Sequence, residues 1–195
     1  MDEREKSIYE AGEKLLAEQL EENIAAIEAA FQNAPEDCCV PFVEAIQTLS
    51  ERVIQAQKEA DKGPLRYLCV SNLLSSLYTG SYQLRIDAYD ERLFGDMTDT
   101  CVYWSPDFIF QYMDRDMAYF RAHIGKHVQR IWEHEIMTFF ARYMQYYYHL
   151  VQELVASQIE PIITSEFSDT PKLTVTFGGY MDQAVVLFEA EQVKG

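Results

Sequence analysis

All four histidines of this chain lie in its second half, at His123, His127, His134 and His149. The first two are spaced i, i+4, which puts two imidazoles one helical turn apart, a spacing able to chelate a divalent ion. On one continuous helix at 100° per residue, His123, His127 and His134 fall within about 40° of each other, and His149 within about 80°. Asp116, Arg130, Gln145 and Gln152 share that face. A metal site built on His123, His127 and His134 needs a further ligand from another element, and Asp87, Asp90 and Asp96 are the candidates. Such a site suits metal-assisted hydrolysis, in which the ion lowers the pKa of a bound water.

Three features count against it. No histidine follows a glutamate by three positions, so the Glu-x-x-His pairs of di-iron bundles are absent. His134-Glu135-Ile136-Met137-Thr138 has threonine where a zinc protease carries its second histidine. Gly125 stands between His123 and His127 and weakens the helix that would align them. The preferred reading is therefore a solvated polar face with no cofactor, and a divalent metal is the alternative.

Other chemistries are poorly represented. There is no phosphate loop, dinucleotide fingerprint or nucleophile elbow. Gly80-Ser81 followed by Asp87 and Asp90 matches part of a nucleotidyltransferase pattern, but acids three apart face opposite sides of a strand. Cys38, Cys39, Cys69 and Cys101 form no Cys-x-x-Cys pair, and reduced thiols are expected.

The histidines must be positioned by the 105–160 segment, read as a helical hairpin or one long kinked helix. Ser105-Pro106-Asp107 supplies its start, and Pro161 is its expected stop. The opposite face carries Val128, Trp132, Phe139, Tyr143, Tyr147, Leu150 and Leu154, which predicts core packing. Upstream, Ile8, Leu16, Leu20, Ile24, Ile27 and Phe31 trace one stripe of a long acidic helix over 3–33. A turn at 34–37, a second helix over 41–61 and an uncharged third helix over 65–78 follow. At 81–89 the period changes to two, which marks a strand. The 90–104 stretch reads as an irregular loop, and 172–190 reads as a β-hairpin.

The expected fold is α+β, predominantly α. About five helices form a bundle, with a small antiparallel sheet from 81–89 and the C-terminal hairpin. The whole of 1–195 is read as a single domain: an acidic helical part (1–80), strand and loop (81–104), an aromatic-rich helical part (105–160) and the hairpin (172–190). With 48% hydrophobic residues such a chain fills its own core. The formal charge of −16 is concentrated in residues 1–62, where 15 acids face 6 bases. That field repels phosphates and anionic lipids, so neither nucleic acid nor a membrane is an expected partner. The longest uncharged run, 67–84, holds too many polar groups to span a bilayer. A soluble cytoplasmic protein results, acting without catalysis through a protein partner or as a homodimer. The alternative is a metal-dependent enzyme or small-molecule sensor using the histidine stripe.

Overall fold

A capping box fixes the start of the chain. The Asp2 carboxylate accepts from the Glu5 N–H (2.7 Å), and the Glu5 carboxylate accepts from the Asp2 N–H (3.1 Å). Helix α1 (Glu3–Asn33) follows and buries Ile8, Gly12, Leu16, Asn23 and Ile27 on its own domain. A Cβ on Gly12 would lie 2.4 Å from the Phe139 ring and 2.7 Å from the Phe120 ring, so this helix approaches its neighbours closely there. The computed structural model describes residues 2–59 and 62–191.

Helix α2 (Pro35–Lys58) begins six residues before its expected start at Pro41. Pro35 occupies the first turn, where a missing N–H costs nothing, and Glu36 and Asp37 face the helix dipole. Pro41 is then carried inside the helix by the burial of Phe42, Ile46 and Leu49.

The largest correction concerns 65–78, which is not a helix. It forms strand β1 (Tyr67–Asn72) and a short helix α3 (Leu74–Thr79), ended by Gly80 in the left-handed region at φ 66°. β1 is buried on both faces, so its apolar run lacks the two-residue alternation of a half-exposed strand. Strand β2 (Leu84–Tyr89) matches the expected one, and β3 (Cys101–Trp104) emerges from the presumed loop.

Helices α4 (Asp107–Phe110), α5 (Met113–His123) and α6 (Glu133–Glu166) replace the continuous helix over 105–160. A 3-10 turn at Ile124–Lys126 and a positive φ at Arg130 separate α5 from α6. Pro161 does not stop α6, which continues to Glu166. An internal proline costs about 3 kcal/mol. Burying Ile162 and Ile163 contributes roughly 1.5–3 kcal/mol each, so packing wins.

Strands β4 (Lys172–Gly179) and β5 (Ala184–Glu191) form the C-terminal hairpin. A Cβ on Gly178 would lie 2.2 Å from the Gln183 carbonyl oxygen, so the hairpin closes only around a glycine there. The sheet order is β3-β2-β1-β4-β5. It is mixed rather than antiparallel: β1 lies between β2 and β4 and runs parallel to β4. The chain between those two strands carries α3 to α6, long enough for the crossover that parallel pairing needs.

The fold is thus α+β and mainly α. Leu68, Val70, Leu84, Ile86, Val102, Trp104, Val175 and Phe177 meet the helices in one continuous core. Phe42 of α2 packs on Trp104 at 4.7 Å between ring centroids. Phe139, Phe140, Tyr143, Tyr147 and Tyr148 of α6 are buried in it as well. Among the described residues no helix is long and apolar enough to cross a membrane.

Candidate functional site on the second face of the sheet

Alternate residues of each strand point away from that core. The pairing register sets them in three rows. One row runs Tyr103, Arg85, Ser71, Gly178 and Ala184, and the next runs Cys101, Asp87, Cys69, Thr176 and Val186. The third runs Tyr89, Tyr67, Thr174 and Glu189. Cys69, Tyr89 and Cys101 are buried here without belonging to the main core.

Arg85 is the centre of this face. Its Nε donates to both Asp87 oxygens (2.8 and 3.0 Å), and its Nη2 donates to Asp99 (2.7 Å). The guanidinium carbon lies 5.9 Å from the Tyr103 ring centroid and 5.1 Å from that of Tyr180. Ser71 and Gly178, the small residues next in the row, leave room for Tyr180 to reach over from the β4–β5 turn. Cation–π stacking and two carboxylates thus hold one arginine in a single orientation. Tyr89 adds an edge-on contact with Phe94 at 5.6 Å.

The electrostatics follow from burial and pairing. Asp87 is only 2% exposed, and burial pushes its carboxyl above the usual range while the Arg85 hydrogen bonds oppose the shift. Hydrogen bonding to Asp87 in turn raises the Arg85 pKa. Burial also pushes the Cys69 and Cys101 thiols up, away from the reactive thiolate.

Ligand-type atoms of Asp87, Asp99 and Cys101 all lie within 4.8 Å of one another. The grouping could hold an ion, but Arg85 already compensates both carboxylates, and the thiol is held protonated by its surroundings. An incoming cation would have to displace the guanidinium.

The histidines named by the sequence stand on three segments. His123 ends α5, with its ring stacked on Tyr119 (4.1 Å) and Nδ1 2.8 Å from the Tyr119 carbonyl oxygen. His127 is exposed just past the 3-10 turn. His134 is exposed in the first turn of α6, beside a pocket of about 130 Å³ that also contains the Arg4–Glu135 ion pair. The break at 124–132 removes the common helical face that aligned them. His149, farther along α6, lies 3.4 Å from Glu153. Among the described residues, the metal-capable grouping contains none of the four.

A second polar cluster surrounds Asp116, which the helical periodicity assigns to the solvated face and which the structure buries. Asp116 of α5 is 0% exposed. It accepts from Asn23 Nδ2 (3.0 and 3.1 Å), Tyr143 Oη (2.9 Å) and Tyr147 Oη (2.6 Å). Arg115 Nη2 donates to Asn23 Oδ1 (2.9 Å). One available signal was Asn23 sitting within the apolar stripe of α1, seven residues after Leu16. Asp116, Asn23, Tyr143 and Tyr147 are sealed from solvent, with Arg115 at the exposed edge, and they register α1, α5 and α6 against one another.

No protein-family model matches this chain, and neither a curated protein nor a solved structure gives a match.

Proposed function

We propose that this chain is a binding protein without catalytic chemistry of its own, acting through the second face of its sheet. The observation that carries the reading is Arg85, pinned by Asp87 and Asp99 and flanked by the Tyr103 and Tyr180 rings. Tyrosine and arginine in a pre-ordered arrangement are the residue types that dominate protein–protein hot spots. Exposed Phe94, Met97 and Tyr103 extend the apolar area.

Around this centre the exposed acids Glu91, Asp99, Asp182 and Glu189 outnumber the exposed bases Arg92 and Lys172, and a third base, the half-buried Arg66, lies over the Tyr67 ring. With a chain charge of −16, the complementary occupant is a partner protein with an apolar centre and a basic rim. Two copies of this face would set acidic rims against each other, which makes a different protein the better fit.

The test is capture of partners from cell extract by the native chain and by the Tyr103→Ala/Tyr180→Ala variant. Hydrogen exchange on the isolated complex follows. The expected result is a basic partner lost on substitution, at least tenfold weaker in titration, with protection in β2 and β3. Undiminished binding by the variant, or protection confined to the helices, would overturn the proposal. A concentration-dependent dimer abolished by the same substitutions would assign the face to a second copy instead.

A further inference from the structure

β1 and β4 are adjacent and parallel, and they end together, with Asn72 opposite Gly179. From there the chain leaves in opposite directions, from β1 toward β2 and from β4 toward β5. Connections that diverge in this way leave space beyond the shared strand ends. Two adjoining cavities occupy this position, of about 420 Å³ and about 360 Å³, and both are lined by Asn72 and Gly179.

The larger cavity lies between α6 and the hairpin. Its walls carry the carboxamides of Asn72, Gln145, Gln152 and Gln183 together with His149. Four of its eleven lining residues are Asn or Gln, against 16 in the 195-residue chain, and none is Asp, Glu, Lys or Arg. Among the described residues the carboxamides of Asn72, Gln152 and Gln183 find no hydrogen-bond partner, and Asn72 and Gln152 are half-buried. Each offers two donors and an acceptor into the cleft.

We infer that this cleft binds an uncharged, hydroxyl-rich small molecule, a neutral sugar. A sugar hydroxyl both donates and accepts, and so pairs with both ends of a carboxamide. A phosphorylated ligand finds no lysine or arginine in the lining and meets the field of a −16 chain. A nucleobase needs an open ring to stack on, whereas Tyr148 and Phe177 at the floor are buried. The volume falls within the range of small-molecule sites, about 300–1,000 Å³. The cleft shares Gly178 and Ala184 with the Arg85 row, but none of its carboxamides belongs to that row, so the inference does not rest on the Arg85 face.

The experiment is nuclear magnetic resonance of the full chain, following side-chain amide signals. Glucose, galactose, N-acetylglucosamine and trehalose are titrated to about 10 mM, the weak end of specific binding. Adenosine and glucose 6-phosphate serve as comparisons. The expected result is saturable shifts at Asn72, Gln152 and Gln183 with at least one neutral sugar. That affinity should fall at least tenfold in Gln152→Ala, whose melting temperature stays that of the native chain. Four outcomes overturn the inference: no response to any sugar, tighter binding of adenosine or of the phosphorylated sugar, shifts elsewhere in the molecule, or unchanged affinity in the variant.

Discussion

The internal Asp116 cluster gives the sharpest stability prediction. Removing the Tyr147 hydroxyl deletes its 2.6 Å hydrogen bond to the carboxylate and a 3.0 Å contact with Asn23 Nδ2. Hydrogen bonds to charged groups contribute about 1.5–3 kcal/mol, so Tyr147→Phe should cost about 2 kcal/mol. Tyr143→Phe removes one 2.9 Å bond to the same oxygen and should cost about 1.5 kcal/mol. Asp116→Asn turns an acceptor into a donor facing other donors inside the core, for which about 3–5 kcal/mol is expected. Tyr146→Phe is the control on the same helix. That residue is 38% exposed, its hydroxyl donates to Glu13 at the surface, and the change should stay within about 0.5 kcal/mol. Urea unfolding of the four variants reads these numbers, and each kcal/mol should also move the melting temperature by about 2–4 °C. Because both phenols donate to one oxygen, the double Phe variant should be non-additive by at least 0.5 kcal/mol. A Tyr147→Phe change no larger than the Tyr146→Phe control, or a neutral Asp116→Asn, would falsify the reading of this cluster as the register of three helices.

Gly12→Ala should destabilise by about 1–3 kcal/mol through overpacking against Phe139 and Phe120, measurable as a lowered urea midpoint. A neutral outcome would mean that α1 can shift outward freely. Arg85→Met removes the cation from buried Asp87 and should cost about 3 kcal/mol, read by thermal unfolding; zinc that restored the lost stability would show that the vacated carboxylates accept a metal. In acid, the Arg92 guanidinium and backbone N–H groups hold the Asp90 carboxyl down to about 2. Asp96 is also lowered, since burial pushes it up but Lys62 and backbone N–H groups outweigh that effect. Depressed folded values mean that this stability is complete above the ordinary carboxylate pKa of about 4 and is lost as pH falls toward 2. Arg92→Ala should flatten that part of the urea-midpoint profile, and an unchanged profile would refute the assignment. In alkali the sign reverses. Burial raises the Tyr143 and Tyr147 phenols, so their contribution is intact below about pH 10 and declines above it, with phenolate absorbance appearing only on unfolding.

What the sequence revealed depended on whether one face of an element meets water. α1 was legible from end to end because its acids and its apolar stripe occupy different sides. β2 and the C-terminal hairpin were legible through alternation and the Gly178-Gly179 turn signal. Elements buried all round carry no such contrast, and β1 was read as a helix for that reason. Prolines misled in both directions. Pro41 and Pro161 sit inside helices whose neighbouring apolar residues are buried deeply enough to offset them. The histidine alignment failed at one place, the 124–132 break, where Gly125 was the sole warning. Asp116 could not be separated from a surface acid, because its three partners come from α1 and α6.

The misread strand is also the one on which both proposed sites depend. β1 places Ser71 beside Arg85, and this small side chain leaves space for the Tyr180 ring to complete the stack. It ends in Asn72, which is shared by the two cavities at the carboxyl ends of the parallel pair. Neither Ser71 nor Asn72 forms part of a motif, and both carry meaning only through register with β2 and β4. A side chain whose role is set by its cross-strand neighbours cannot be recognised until the strand itself is known. Had β1 been the helix that its composition suggested, Arg85 would lie on an edge strand and no parallel pair would exist. The polar residues of 81–89 would then have had no second face to organise.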